Sequence, residues 1–556
     1  MSSDVTHTAM TAAIGGLAIA TTPASLADAQ EAIPRLPDHL VVAHILRSEY
    51  FDLARLPAVS RAMRNAVAAT GLRFEELAED EAVELGCLSA LQRRQRGGRL
   101  SSRKFLCQAA ARSGQLEELK ALRADGWPWD QEACSAAALD GHLEVLQWAR
   151  ANGCPWGRST CRWAAKGGHL EVIQWARAKG CPWDEWTCSL AAGCGHLEVL
   201  RWARANGCPW DEMTCSGAAE GGHLEVLQWA RANGCPWDEM TCAGAVEGGH
   251  LKVLLWARAN GSPCAENELY IAAQSGHEAI VRALLEAGAD VNLEADYCAV
   301  TPLLMAAFQG NETVVRALIE AGADINKAKD TGMTPLCLAT QKGHEMVARA
   351  LLEARVDINK ANHLGGTPLY IAAQNGHETV VLALIEVRAD IDNATDIGGT
   401  PLFIAAQNGH ETVVLALLEA GADINKAEDT GATPLFTGTQ NGHEAVVQAL
   451  IEAGADINKA RDDGGTPLHV AAFLDHEVVV RALIEVGADI NKAEDDGATP
   501  LYMAAENGNE AVVRALIEAG ADINKARDIG GTPLSIAAQK GQEATVQILR
   551  DAAAVL

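Results

Sequence analysis

The chain has no long apolar run. No stretch of its 556 residues approaches the roughly 18 consecutive apolar residues that a membrane-spanning helix needs. Residues 11–27 faintly resemble a secretory leader, but Asp4 precedes them and the first Lys or Arg is Arg35. The sequence therefore predicts no association with a membrane, and it favours a disordered N-terminal tail over residues 1–32 rather than a secretory leader.

The chain also has few positively charged residues relative to its acidic ones. Lys and Arg number 45 against 73 Asp and Glu, which gives a formal net charge of −28. The imbalance is concentrated in residues 266–556, which hold 19 Lys and Arg against 43 Asp and Glu. Because an acidic surface repels phosphate groups, the sequence argues against nucleic acid and anionic membranes as partners and favours a basic protein.

Catalytic motifs are also missing. The sequence has no Gly-rich phosphate loop ending in Lys-Ser or Lys-Thr, no Gly-x-Ser-x-Gly turn and no Cys-x-x-Cys pair. The repeated His-Glu pairs begin like a zinc protease motif, but that motif needs a second His four residues after the first. After His410 that position holds Val414. We therefore expect no enzymatic activity, no cofactor and no bound metal.

Ten of the 15 cysteines follow a regular spacing. One set recurs every 27 residues at Cys107, Cys134, Cys161, Cys188, Cys215 and Cys242, and a second set at Cys154, Cys181, Cys208 and Cys235. Stacked helices lie roughly 8–10 Å apart, whereas the Cα atoms of a disulfide lie within about 7 Å, so equivalent cysteines are not expected to pair. Buried thiols favour a reducing, intracellular compartment, the cytoplasm or the nucleus. Metal ligation is a weaker alternative, because zinc sites use shorter spacers.

Two fixed repeat lengths dominate most of the chain. Gly-His pairs recur every 27 residues and Thr-Pro pairs every 33 residues. The Gly-His pairs begin at Gly141, Gly168, Gly195, Gly222, Gly249 and Gly276, and the Thr-Pro pairs at Thr301, Thr334, Thr367, Thr400, Thr433, Thr466, Thr499 and Thr532. Repetition at such lengths predicts a solenoid, in which each unit buries its apolar face against its neighbours.

The 27-residue unit is clearest at residues 211–237. Asp211 is expected to cap a first helix with its carboxylate, and Gly222 helps to end that helix. A second helix follows and ends at Gly234, since glycine suits the left-handed position after a helix. Six such units fit residues 101–265.

The 33-residue unit is clearest at residues 400–432. Thr400 is expected to cap the first helix, Pro401 occupies its first position, and Gly421 ends the second helix. The six extra residues lie in an extended turn that the shorter units lack. Nine such units fit residues 266–556, and both kinds of unit are predicted to share one helix–turn–helix core.

The pattern Thr-Pro-Leu-x-x-Ala-Ala-x-x-Gly-His-Glu, followed by Leu-Leu-Glu-Ala-Gly-Ala-Asp-Ile-Asn, resembles the ankyrin repeat. The 27-residue units resemble short ankyrin repeats of the kind seen in large DNA viruses and some microbial eukaryotes. Together the resemblance covers residues 101–556. It implies an all-α ankyrin-repeat solenoid of stacked helix pairs with projecting turns, called fingers below. It also implies protein binding through the fingers and through the two residues before each Gly-His pair.

Two features depart from that family pattern. The His that usually follows Thr-Pro-Leu survives only as His469, so apolar stacking is expected to replace a ladder of His hydrogen bonds. Arg355 and Arg388 replace the glycine that ends the second helix, at a cost of about 1 kcal/mol each. We therefore expect weaker structure across residues 350–395.

Residues 33–72 are predicted to form a small helical segment that resembles an F-box. The residues that match the family pattern are Leu36, Pro37, Leu40, Ile45, Leu46, Leu53, Leu56 and Val59. Met63 departs from the pattern, because the family usually has Trp there. The alternative is a helical cap that shields the first repeat. Residues 73–100 are predicted to be a helix followed by a basic connector.

All 13 Trp lie between Trp127 and Trp256, mostly in two ladders with a 27-residue spacing. Aromatic ladders can stack nucleic-acid bases, but this region is nearly neutral and lacks the basic stripe that such binding requires. We therefore interpret the ladders as packing between repeats, with part of the second ladder as an additional contact surface at the loop edge.

Comparison of the repeats within the chain indicates where a target would bind. The framework barely changes, whereas the fingers vary and a few groove positions are apolar among mostly polar ones. The predicted target-binding residues are Phe308, Gln309, Phe473, Leu474, Asp330, His363, Asp429, Asp462, Asp495 and Asp528. For the apolar residues among them, filling a local packing gap is an equal alternative.

The sequence thus predicts a non-enzymatic adaptor. By resemblance, the F-box-like segment would bind a ubiquitin-ligase adaptor and its cullin complex, and the acidic repeats would hold a target protein near the ligase. The alternative is a general ankyrin scaffold with no link to a ubiquitin ligase. Apart from such complexes, we expect a monomer.

Overall fold

The computed structural model describes residues 78–295, 299–528 and 530–555. The chain divides into two compact units after Cys264, one residue before the predicted change of repeat length. Within the described residues every regular element is a helix, and an isolated antiparallel bridge joins Ala295 to Val300. The predicted all-α class of stacked helix pairs is confirmed.

From residue 78 onward, the described part of the first unit consists of a helix pair followed by six more pairs. The helices are α1 Glu79–Glu84, α2 Leu88–Arg96, α3 Phe105–Arg112, α4 Leu116–Ala124, α5 Gln131–Leu139, α6 Leu143–Ala151, α7 Arg158–Lys166, α8 Leu170–Ala178, α9 Glu185–Gly193, α10 Leu197–Ala205, α11 Glu212–Glu220, α12 Leu224–Ala232, α13 Glu239–Glu247 and α14 Leu251–Ala259. From α3 onward, the first helix of each pair packs against the first helices of neighbouring pairs and against its own partner.

The basic stretch predicted to be a connector is largely helical. Most of it belongs to α2, because Leu88 and Leu91 lie three residues apart and are both buried, which fixes one face of a helix. Helices α1 and α2 both pack against α3. This pair therefore covers the open end of the first repeat, as a solenoid requires.

The caps of the short repeats only partly follow the prediction. Asp211 has the extended backbone of a cap residue, but its side chain makes no capping hydrogen bond. The equivalent Asp130 and Asp238 do accept a backbone N–H, from Glu132 at 3.1 Å and from Met240 at 3.0 Å. The position was therefore predicted correctly, whereas the capping bond at Asp211 was not. Burial and the neighbouring Glu212 raise the pKa of this carboxyl.

The described residues of the second unit form nine helix pairs. The helices are α15 Glu268–Ser275, α16 Glu278–Glu286, α17 Pro302–Gln309, α18 Glu312–Glu320, α19 Pro335–Lys342, α20 Glu345–Glu353, α21 Pro368–Gln374, α22 Glu378–Glu386, α23 Pro401–Asn408, α24 Glu411–Glu419, α25 Pro434–Gln440, α26 Glu444–Glu452, α27 Pro467–Phe473, α28 Glu477–Glu485, α29 Pro500–Asn507, α30 Glu510–Glu518, α31 Pro533–Lys540 and α32 Glu543–Val555. Here the second helices of successive pairs also pack against each other.

Local rules fix these boundaries. Thr400 accepts the N–H of Phe403 at 3.1 Å, and Pro401 is the first residue of α23, as predicted. Gly421 takes a left-handed φ of 90° after α24. Arg388 adopts the same conformation, with a φ of 64°, although it carries a side chain.

The Gly-His pairs join successive repeats. The His377 Nε2 lies 3.2 Å from the carbonyl oxygen of Gln341 in the preceding repeat. Gly343 has a positive φ of 73° there, and a Cβ on it would lie 2.6 Å from the His377 ring. The Gly-His pair recurs because the glycine of one repeat has no side chain. The His ring of the next repeat can therefore pack against that glycine and contact the end of the preceding repeat's first helix.

Aromatic packing joins the short repeats. The Trp237 ring lies between the Arg231 guanidinium, 4.0 Å from its centroid, and the Trp256 ring of the following repeat, 6.0 Å away with an edge-to-face geometry. Four earlier loop tryptophans are arranged in the same way. These half-buried contacts bear out the interpretation of the ladders as packing between repeats.

Apolar residues take the place of the missing His ladder. Leu304 and Cys337 share one buried cluster with Met333, and Phe403 and Phe436 share another. The cysteine ladders are buried too, and burial raises the pKa of the Cys107 thiol to about 11. Within the described residues, no helix combines the length and the apolar character needed to cross a bilayer.

Candidate protein-binding surface

The finger tips of the second unit form a continuous strip. The His363 backbone N–H donates to the carbonyl oxygen of Thr331 in the preceding finger at 3.2 Å. The Asp462 backbone N–H donates to the carbonyl oxygen of Thr430 at 3.0 Å in the same way. The same bond recurs at Asp396, Asp429, Asp495 and Asp528. Because the backbone is bonded from finger to finger, the tip side chains are held at regular intervals along one edge.

All the predicted finger residues lie exposed at or beside these tips. They are Asp330, His363, Asp429, Asp462, Asp495 and Asp528. Asp396 occupies the equivalent place, is also exposed, and was missed by the sequence prediction. We call these seven residues the finger strip. Six of the seven are carboxylates, which makes this edge strongly attractive to cations.

The base of each finger is tied down separately. The Asn425 Oδ1 accepts the Asp456 N–H at 2.8 Å, and the Lys459 Nζ donates to the Asn425 carbonyl oxygen at 2.7 Å. The same arrangement continues into the next two fingers. The lysines are therefore engaged with the backbone, which leaves the aspartates at the tips less compensated.

Charge is partly compensated just behind the tips. Arg461 pairs with Asp463 in its own finger, and Arg527 pairs with Asp496 of the preceding finger. Glu494 lies half-buried among these groups, and burial, with Asp463 and Asp496 nearby, raises its pKa to about 7. The negative potential is therefore concentrated at the exposed finger tips rather than at the charged residues behind them.

The two predicted apolar groove sites differ from each other. Phe308 is half-buried against the Leu304 and Cys337 cluster, and the Lys342 Nζ lies 4.7 Å from the centroid of its ring. Gln309 beside it is exposed. The position of Phe308 thus favours the packing alternative, and Lys342 lies over one face of its ring.

Phe473 and Leu474 are open to solvent. Their side chains are 45% and 40% exposed, and the carbonyl oxygen of Phe473 accepts a hydrogen bond from the Asn507 Nδ2 at 2.8 Å. Asp475 follows with a left-handed φ of 62°. The backbone is fixed while the two apolar side chains remain uncovered, which is the arrangement expected of a binding anchor.

Sequence reasoning missed two further apolar tips. Leu364 and Ile397 are 76% and 61% exposed in successive fingers. Thr331 and Thr430 hold the equivalent places in other fingers. The signal was available, because a comparison of finger residues one repeat apart shows an apolar side chain where polar ones are usual.

The F-box-like residues lie outside the described part of the chain. They are Leu36, Pro37, Leu40, Ile45, Leu46, Leu53, Leu56 and Val59. Their predicted role in binding a ligase adaptor therefore stays a prediction.

Comparison with known families agrees with the geometry. A family model described as ankyrin repeats matches residues 189–329, 269–362, 356–428, 402–494 and 487–555, which together span well over half of the chain. No curated protein sequence matches significantly. Ankyrin repeats indicate a scaffold for protein interactions. With its stacked helix pairs, left-handed glycines and bonded fingers, the chain belongs to the ankyrin repeat family.

Proposed function

We propose that the second unit binds a basic protein target through the finger strip, with Phe473 and Leu474 as an apolar anchor in the groove. The observation that carries this proposal is the row of exposed carboxylates held by finger-to-finger hydrogen bonds. Basic side chains of a target would pair with these carboxylates, while an apolar side chain would cover Phe473. The protein would act as an adaptor that brings partners together and would carry out no chemistry itself.

Affinity purification from the native cell tests the target site. A finger variant (D429N, D462N, D495N and D528N together) and a groove variant (F473Q/L474N, which installs residues typical of the other repeats) are compared with the wild type. We expect the wild type to capture a set of basic proteins that both variants fail to capture. Cross-links between these proteins and the wild-type chain should map to residues 330–528. Partners that both variants retain, or affinity unchanged between low and high salt, would contradict this site.

We further propose that the chain is a substrate receptor of a cullin-type ubiquitin ligase and acts as a single copy in the cytoplasm or nucleus. The match of residues 36–59 to the F-box pattern supports the ligase role, and the buried thiols support a reducing compartment. A general ankyrin scaffold is the alternative, favoured by the cover that α1 and α2 provide for the first repeat.

A pull-down for the ligase adaptor and cullin separates these alternatives. The wild type is expected to capture both, and an L36A/P37A/L40A variant neither. If the wild type captures neither under conditions in which known F-box proteins do, the general scaffold is correct. The groove variant serves as the control, because its substitutions lie outside residues 33–72.

A further inference from the structure

A row of ion pairs runs along the second helices of the second unit. Arg282 pairs with Glu278 of its own helix and with Glu320 of the next repeat, both at 2.8 Å. Arg316 and Arg349 repeat the pattern with distances between 2.7 and 3.0 Å. Each Arg thus pairs with two carboxylates and connects two repeats.

This row is interrupted in the middle of the unit. Leu382, Leu415 and Gln448 occupy the Arg position of three successive repeats, and the pattern resumes at Arg481. Leu382 and Leu415 are 39% and 42% exposed. The buried side of α22 is already formed by other residues, including Leu384. Packing within this chain therefore does not account for the two leucines.

Where the arginines are missing, glutamates lie beside Leu382 and Leu415. Since Arg349 reaches Glu386 in the next repeat, the same register places Leu382 beside Glu419. Glu378 and Glu411 lie one helical turn before Leu382 and Leu415 on their own helices. Within the described residues, none of these three glutamates forms an ion pair, and all are exposed. We call Leu382, Leu415, Glu378, Glu411 and Glu419 the leucine patch.

We propose that the leucine patch docks a basic amphipathic helix of a partner protein. Stacked helices lie about 8–10 Å apart, and apolar side chains two turns apart on a helix are separated by about 10 Å, so one helix can cover both leucines. Lys or Arg beside those side chains would replace the missing arginines as counter-charges. A second copy of this chain fits poorly, because its own patch would bring the same carboxylates.

This surface lies on the second helices and is separate from the finger strip and from Phe473. The proposal therefore does not rest on the function proposed above. The test uses the full chain and a fluorescent synthetic helix with Leu on one face and Lys on the other. A peptide of the same composition, with the Leu residues scattered around the helix, is the control probe.

The variant L382Q/L415Q removes the apolar contacts without changing the charge, and Gln is the residue that the next repeat has at position 448. We expect the amphipathic peptide to bind the wild type and this variant to bind at least about tenfold more weakly. The groove variant F473Q/L474N should bind as the wild type does. Binding should weaken as salt is added.

A second variant separates loss of binding from loss of folding. L382R/L415R installs the residue that Arg349 and Arg481 provide at the same position of other repeats, so it should fold with equal or higher thermal stability and lose the peptide completely. The proposal is overturned if L382Q/L415Q binds as tightly as the wild type or if the scattered peptide binds equally well. It is also overturned if the groove variant loses the same affinity or if the wild type does not bind the peptide.

Discussion

The His469 Nε2 lies 3.2 Å from the carbonyl oxygen of Ala498 in the following repeat. A carbonyl can only accept, so Nε2 donates this bond. The Nδ1 atom accepts the Thr466 N–H at 3.2 Å. The neutral ring therefore satisfies both neighbours, whereas a second proton on Nδ1 would face a donor. Burial lowers the pKa of His469 to about 4, because it disfavours the charged ring more than the bond to Ala498 favours it.

Acidification should weaken the repeat that contains His469. In the unfolded chain the ring takes up a proton near pH 6.5, but in the folded chain only near pH 4, so stability is lost as the pH falls between these values. Amide exchange in α27 at pH 7 and at pH 4.5 measures the loss, which should reach about 2 kcal/mol. The variant H469F, which matches Phe403 and Phe436, should lose less. If H469F lost as much stability as the wild type between pH 7 and pH 4.5, His469 would not be the cause.

Glu494 should have the opposite pH dependence. Burial beside Asp463 raises its pKa to about 7, so the folded chain retains a proton that the unfolded chain has released above pH 4.5. The stabilisation is present at low pH and is lost as the pH rises through 7. E494Q should stabilise its finger at pH 8 by about 1 kcal/mol, after allowance for partial exposure, and by less at pH 5. Exchange rates of the finger amides at the two pH values provide the measurement.

Arg355 and Arg388 should mark the weaker part of the second unit. Both adopt a left-handed φ, of 62° and 64°, that favours glycine. R355G and R388G should each stabilise their repeats by about 1 kcal/mol and slow amide exchange across residues 350–395. The control is G421R, because a Cβ at Gly421 would meet nothing within 4 Å and only the backbone cost remains. Exchange in residues 350–395 that is no faster than in neighbouring repeats would refute the prediction.

Two glycines with the same backbone preference should differ in their tolerance of a side chain. Gly322 and Gly343 both have a positive φ, but a Cβ at Gly322 meets nothing within 4 Å, whereas one at Gly343 would lie 2.6 Å from the His377 ring. G322A should cost about 1 kcal/mol, and G343A about 2–3 kcal/mol because the ring must also move. Denaturant titration of the two variants measures the difference. Equal losses would show that the ring moves freely.

Much of the fold was predictable because its determinants are local. Thr400 and Pro401 start a helix and Gly421 ends one through interactions that span only a few residues. Asp211 shows where this reasoning fails. Its place at the helix start follows from the sequence, but the capping bond does not, since the equivalent Asp130 and Asp238 make that bond and Asp211 does not.

The candidate site was predictable only in outline. Asp462 was expected in a binding finger because the finger segments vary between repeats while the framework does not, and the structure adds the backbone bond to Thr430 that fixes its position. Phe308 and Phe473 look equivalent in sequence, yet Lys342 covers the first and nothing in the described residues covers the second to the same degree. The difference comes from which side chain the next repeat presents.

The sequence by itself determined the two repeat lengths, the helix pairs and the acidic character of the second unit, because caps, turns and net charge depend on near neighbours along the chain. Only the tertiary structure decided which side chains of the repeats remain open to a partner. Leu382 and Leu415 are exposed, and stacking places Leu382 beside Glu419 of the next repeat, which forms no ion pair with the described residues. Equivalent positions in sequence therefore acquire different surroundings.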